Sequence, residues 1–172
     1  LARSGQTARP TAWRAALPVM VLLTVLAMSQ APLNFQFPSE YERESSRTLY
    51  YREGPLATTK VFEDALSGEK HMSVDGIVIG GTGLAEYKQL LLAHLPKLLV
   101  EDYANELSVG LGSGILVGES ARHPGVERIT SVEIEPSVIE GAAWFREENH
   151  DALEHPAIEV IPDDIGNFLR TT

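Results

Sequence analysis

Apolar and polar positions change period several times along this chain, and each change marks a different kind of element. From Ala15 to Leu33 no charge interrupts AALPVMVLLTVLAMSQAPL. A run of 19 such residues can just cross a hydrocarbon core of about 30 Å, so a transmembrane helix is expected over 15–33. Arg3, Arg9 and Arg14 lie before it, in a basic segment spanning 1–14. Two other readings stay open: a secretory leader, with Leu17–Leu26 as its apolar part and Ser29-Gln-Ala31 as a small-residue ending, and a buried helix. Residues 34–56 then read as a polar connector, because Glu40, Glu42, Arg43, Glu44, Arg47 and Arg52 break any apolar period.

The next segment, 57–83, reads as a small antiparallel β domain. Ala57–Phe62 and Met72–Val74 are strand-like runs separated by the turn-rich Glu63-Asp-Ala-Leu-Ser-Gly-Glu-Lys70, which fits a hairpin. Asp75-Gly76 turns the chain into Ile77-Val-Ile79, and Gly80-Gly-Thr-Gly83 ends the pattern. From Leu84 the period becomes helical. Leu84, Tyr87, Leu91, His94, Leu95 and Leu98 share one face, while Glu86, Lys88 and Gln89 fall mostly opposite. Pro96 either kinks this helix or opens a second turn.

Over 84–172 strands and helices alternate. Strands are predicted near Leu107–Gly110, Arg128–Glu133 and Ile158–Ile161. Helices are predicted near Ile115–Arg122, after Pro136, and after Asp163-Asp164. The helix after Pro136 should bury Val138, Ile139, Ala142, Ala143 and Phe145. Such alternation gives an α/β fold: a Rossmann-like parallel sheet with three strands visible, preceded by the small antiparallel domain and the hydrophobic helix.

Between the first two strands of that sheet lies the most informative chemistry, Glu106-Leu-Ser-Val-Gly-Leu-Gly-Ser-Gly-Ile115. Gly110, Gly112 and Gly114 let the backbone turn tightly and approach a ligand that a side chain would block. The following helix would aim its free N–H groups at that ligand. Glu133 ends the second strand, 19 residues past Gly114, at the distance where ribose hydroxyls need a carboxylate. A dinucleotide fingerprint would place glycine where Ile115 stands, and no lysine follows the turn as in a phosphate-cradling loop. The pattern therefore suits an adenosine that carries a sulfonium. Asp164 would accept from an adenine amino group. Of Asp163 and Asp164, one is expected to cap the last helix and the other to bind. Glu135 is expected at a solvated strand end, as a helix cap.

Composition narrows the partners. The chain has 24 acids against 14 lysines and arginines, a formal charge of −10. That disfavours a polyanionic nucleic-acid partner and mildly favours a cationic small molecule. No cysteine is present, so disulfides and thiolate metal sites are excluded. His71, His94, His123, His150 and His155 show no metal-ligand spacing, and no metal is expected. The chain starts at Leu1 and stops at Thr172 after a predicted helix, and the expectation is a piece of a longer protein.

In order, Tyr50-Tyr-Arg-Glu-Gly-Pro-Leu-Ala-Thr-Thr-Lys-Val61, Ala93-His-Leu-Pro96, the glycine turn, Val132-Glu-Ile-Glu-Pro136 and Asp163-Asp-Ile-Gly-Asn-Phe-Leu169 resemble the spermidine synthase (polyamine aminopropyltransferase) family. More closely, they resemble its membrane-fused bacterial branch. The resemblance covers about residues 50–172 and implies a methyltransferase-type Rossmann-like domain. It further implies decarboxylated S-adenosylmethionine as co-substrate, or S-adenosylmethionine itself, and an acceptor amine such as putrescine. The cofactor residues it implies are Gly110, Gly112, Ser113, Gly114, Glu133, Asp163 and Asp164. Departures concern the amine side. Ser113 stands where soluble members carry an aspartate, Lys88-Gln-Leu90 where they carry Tyr-His-Glu, and Ile79 where they carry glutamine. The catalytic acid is expected beyond Thr172, so this piece alone should be inactive. A methyltransferase on the same fold and a non-catalytic adenosyl-binding module of a membrane protein are the alternatives. A homodimer is kept open. The arginines before the apolar run outnumber Arg43 and Arg47 after it, which places the start inside. For a single span that would put the domain outside; the need for cytosolic co-substrate outweighs this, and the domain is expected on the cytoplasmic side of the inner membrane.

Overall fold

A computed structural model describes residues 18–26 and 42–171. The chain divides into two units, Leu1–Gln36 and Phe37–Thr172. In the first, the described residues form one helix, α1, over 18–26, with every side chain exposed. Among the described residues no helix is long and apolar enough to cross a membrane. The rest of the predicted 15–33 span, and the basic segment 1–14, lie outside the described residues.

The second unit begins with a four-stranded antiparallel sheet in the order β1-β2-β3-β4, built from Arg47–Glu53, Thr58–Glu63, Lys70–Val74 and Ile77–Gly81. Strand β1 corrects the connector reading over residues 47–53. Its charges do not prevent pairing, because β1 is an edge strand and its polar side chains find partners at the rim. Arg47 pairs with Glu63 at 2.7 Å, and Arg52 pairs with Glu140. Leu49 and Tyr50 turn inward against the core. Charged residues on an edge also deter pairing with another chain. The β2–β3 register sets Val61 opposite Met72. Both side chains are fully buried with Ile115, Val138 and Phe145, so the sheet shares a core with the helices that follow.

Helix α2 covers Leu84–His94, and Pro96–Leu98 forms a separate 3-10 turn, which settles the role of Pro96. The expected orientation of α2 is reversed. Gln89 and Ala93 are its buried residues, whereas Leu84 (87% exposed), Tyr87, Leu91, Leu95 and Leu98 face outward. The physical reason is the contact with the next helix, α3 (Ile115–Ala121). Ala93 permits close approach there, and the Gln89 amide finds polar partners inside.

Strands β5 (Asn105–Val109), β6 (Arg128–Glu133) and β7 (Ile158–Pro162) pair in parallel in that order. Helix α4 (Pro136–Ala142) follows β6 and continues as a 3-10 turn, Ala143–Phe145. Val138, Ala142 and Phe145 are buried as expected, Ile139 is half-buried, and Ala143 is exposed, against expectation. The helix tightens to a 3-10 turn there, and that shift carries residue 143 off the inward face. A second core joins Leu111, Val117, Ile129, Ala142 and Ala152 beneath the parallel sheet. Helix α5 (Ile165–Thr171) closes the described chain.

Candidate adenosyl-binding site

The glycine turn connects β5 to α3 and lies at the carboxyl end of the parallel strands, where open α/β sheets bind ligands. Gly110, Gly112 and Gly114 have φ of 90°, 58° and 80°, all in the left-handed region that side chains disfavour. A Cβ on Gly112 would meet nothing within 4 Å, so space is open beside the turn where a ligand can approach the backbone. Helix α3 begins at Gly114 with no side-chain cap.

Glu133 joins that turn. It is 8% exposed, and its Oε2 accepts from the Leu111 backbone N–H at 2.9 Å. Its Oε1 accepts from the N–H of Glu135 at 3.1 Å. A carboxylate oxygen can accept more than one hydrogen bond, so the same group retains capacity toward ligand hydroxyls. The turn is fixed further by the Gly110 carbonyl, which accepts from the Ser108 hydroxyl at 2.9 Å and the Ser131 hydroxyl at 3.3 Å. The structure thus brings Gly110, Gly112, Ser113, Gly114 and Glu133 together.

Asp163 and Asp164 stand at the end of β7, the next carboxyl end along. The Asp163 N–H donates to the Glu133 carbonyl at 3.2 Å. Asp164 is the cap: its Oδ1 accepts from the N–H of Asn167 at 3.0 Å, the usual N-cap geometry. Asp163 is held by the Asn167 side-chain amide at 3.0 and 3.1 Å. Asp164 Oδ2 has no partner among the described residues.

Glu135 corrects the solvated-end reading. It does cap α4, accepting from Ser137 N–H at 3.0 Å, but it is buried. Its Oε2 also accepts the N–H groups of Leu56 and Ala57 at 2.9 and 3.1 Å. Burial pushes its carboxyl upward, yet the donors from Ser137, Leu56 and Ala57 prevail and hold it below the usual carboxylate value.

Two site residues escaped the sequence reading. Gln89 accepts from the Ser113 hydroxyl at 2.6 Å, and Asn149 donates to the Ser113 carbonyl at 3.0 Å. Asn149 had one legible signal: His150 and Asp151, which follow it, have φ of 55° and 56°, a tight turn written in residue types that tolerate it. For Gln89 the resemblance supplied a signal, since Lys88-Gln-Leu90 stands where the family carries Tyr-His-Glu, but the period of α2 read it as surface. Among the described residues no cluster of three or more His, Asp or Glu could hold a metal ion.

On the amine side, Ser113 is fully buried against Gln89, so the turn presents no carboxylate of its own there. Lys88 is exposed on α2. It lines a cleft of about 420 Å³ together with Ile79, Gly80, Glu69 and His71. Burial lowers the His71 imidazole below its ordinary value.

A left-handed glycine turn joined to an acidic second strand, on a parallel sheet with a small antiparallel sheet before it, defines an α/β protein with a Rossmann-like fold of the methyltransferase type. The chain belongs to the spermine/spermidine synthase domain family, whose model matches residues 85–172. It is similar to the polyamine aminopropyltransferase of Pectobacterium atrosepticum, 32% identical over 126 residues, covering 72% of this chain and 43% of the relative. That of Buchnera aphidicola is 28% identical over 127 residues, covering 73% of this chain and 44% of the relative. The chain therefore spans less than half the length of these relatives. Among solved structures, it resembles a spermidine synthase in complex with the transition state analogue AdoDATO. The TM-score is 0.66 at 23% identity, over 73% of this chain and 43% of the other. The spermidine synthase from Thermotoga maritima gives the same score and identity, over 73% and 44%. These structures bear out the expected α/β class.

Proposed function

We propose that this chain is the adenosyl-binding part of an aminopropyltransferase that moves the aminopropyl group of decarboxylated S-adenosylmethionine to a polyamine acceptor such as putrescine. The carrying observation is the hydrogen bond from Leu111 to Glu133, which sets a ribose-type carboxylate beside an open glycine turn. Relatives named polyamine aminopropyltransferases supply the reaction class. The sulfonium makes its attached carbon electrophilic. The acceptor nitrogen bonds to that carbon as the carbon–sulfur bond breaks, the electron pair leaves with sulfur as a neutral thioether, and the nitrogen sheds a proton. In this reading Glu133 orients the ribose, the glycine turn passes close to the adenosine, and Asp164 Oδ2 or Asp163 meets the adenine.

The membrane reading belongs to the same proposal. Exposed Val19, Met20, Val21, Leu22, Leu23, Val25 and Leu26 on α1 support lipid contact there, with the second unit on the cytoplasmic side of an inner membrane. Self-association as a homodimer is part of this reading as well.

Isothermal titration of the chain with decarboxylated S-adenosylmethionine and with S-adenosylmethionine tests the proposal. Tighter binding of the decarboxylated form is expected. Equal or preferential binding of S-adenosylmethionine would move the reading to methyl transfer, and no binding of either would leave a module without this ligand.

A further inference from the structure

Two buried amides hold the glycine turn from opposite sides, and we propose that Gln89 and Asn149 are positioning residues for adenosyl binding. This inference rests on the function proposed above. Three glycines with positive φ leave the turn with little intrinsic preference for one shape, so neighbours hold it. Ser113 is where they grip it. Its side chain is fully buried, so it is engaged by protein and not by solvent.

From the side of the antiparallel sheet comes Gln89. Its Oε1 accepts the Ser113 hydroxyl at 2.6 Å, while its Nε2 donates to the Gly81 carbonyl at 2.8 Å and to the Ala85 carbonyl at 3.2 Å. One amide therefore ties the turn to the last residue of β4. Space around the pair is tight: a Cβ on Gly80 would stand 3.3 Å from Ser113 Oγ and 3.4 Å from Gln89 Oε1. From the other side comes Asn149, which is 1% exposed. Its Nδ2 donates to the carbonyls of Ser113, at 3.0 Å, and Ala142, at 2.9 Å, and its Oδ1 accepts from Ala152 N–H at 3.2 Å. A Cβ on Gly114 would lie 3.0 Å from that same Nδ2.

Both amides have donor and acceptor ends satisfied within the protein. Neither is left to contact a ligand, so they act through the turn. Removing either lets residues 112–114 relax and shifts the backbone that a nucleoside must meet. Displacements of this kind reduce ligand affinity even where the fold survives.

The test uses the whole chain and 5′-methylthioadenosine as probe, with the dissociation constant from titration and the folded state from circular dichroism. Gln89→Met keeps the volume and removes the amide, and Asn149→Asp keeps the acceptor and removes the donors. Phe62→Leu is the control, destabilising a buried site away from the turn. Gln89→Met is expected to weaken the probe tenfold or more while remaining folded, and Asn149→Asp to do the same. Phe62→Leu is expected to lower the melting temperature and leave affinity within twofold. Hydrogen exchange supplies a readout without ligand: Gln89→Met should accelerate exchange at amides 111–115, and Phe62→Leu should not. Should Asn149→Asp fail to fold, the Gln89 pair of measurements decides. Wild-type affinity and unchanged exchange in Gln89→Met would overturn the inference, as would affinity that tracks melting temperature across all variants, the control included. A wild-type chain that takes up no probe sinks the adenosyl reading instead, and the exchange data still report whether the amides hold the turn.

Discussion

Glu135 at the start of α4 accepts the backbone N–H of Leu56, 79 residues earlier in the chain, at 2.9 Å. The same oxygen takes the N–H of Ala57, so one carboxylate pins the β1–β2 connection onto the helix that follows β6. The fit is close: a Cβ on Gly54 would lie 2.0 Å from Glu135 Oε1. Glu135→Ala leaves these N–H groups without their acceptor and removes the α4 cap. A loss of about 2–4 kcal/mol is expected in urea unfolding. Hydrogen exchange at Leu56 and Ala57 should accelerate most; uniform acceleration over the unit would contradict the local pin.

Glu133 makes a separate prediction. Glu133→Gln keeps an acceptor for Leu111 but presents an NH₂ group where a second acceptor is required. Stability should fall by about 1–2 kcal/mol, and the affinity for an adenosyl probe should fall at least tenfold. Calorimetric titration beside a urea series reads both. Unchanged affinity would detach Glu133 from the ligand.

Gly118 lies inside α3, where a Cβ would stand 2.0 Å from the backbone carbonyl oxygen of Asn149. Ordinary helix propensity favours alanine over glycine by about 1 kcal/mol. Here the clash with backbone wins, and Gly118→Ala should destabilise by about 1–3 kcal/mol. A gain in denaturation midpoint would show that the loop around Asn149 yields readily.

Stability should depend on pH in two stages. The His123 imidazole is lowered from its ordinary 6.5 first by burial and then by the charges of Lys97 and His94, which outweigh Glu106 and Glu119. His71 is lowered from 6.5 by burial against the opposing carboxylates of Glu69 and Asp64. Bases with depressed values bind fewer protons folded than unfolded, so their contribution is present above pH 6.5 and is lost as the pH falls through the folded values. The second stage comes from Glu119 and Glu135, both lowered from 4.5. For Glu119 burial raises the value, but His150 and Arg122 lower it further. Their contribution is lost as the pH falls below 4.5 toward those values. Urea midpoints at three pH values check this, and His123→Gln should flatten the upper stage.

The exposed leucines of α2 predict behaviour in solution. Leu91 is more than half exposed, so Leu91→Lys should change stability by less than about 0.5 kcal/mol. Removing apolar surface next to the exposed Leu84, Leu95 and Leu98 should reduce self-association in light scattering. A large stability loss would mean that this face is covered.

Local chemistry alone specified a good part of this protein. The β-branched run 128–133 gives a strand, Gly110, Gly112 and Gly114 a turn, Pro136 a helix start, and the spacing from Gly114 to Glu133 the distance at which a nucleoside would be met. Such signals survive in sequence because they depend on neighbours within a few residues or on a repeating unit. Other features needed the assembled structure. Strand β1 looked like connector, since its charges are satisfied only across an edge. Period 3.6 showed which α2 residues share a face, but contact with α3 decided that Gln89 and Ala93 turn inward. Glu135, Gln89 and Asn149 draw partners from 79, 24 and 36 residues away. A buried polar side chain is defined by what satisfies it, and those partners meet only once the chain has folded.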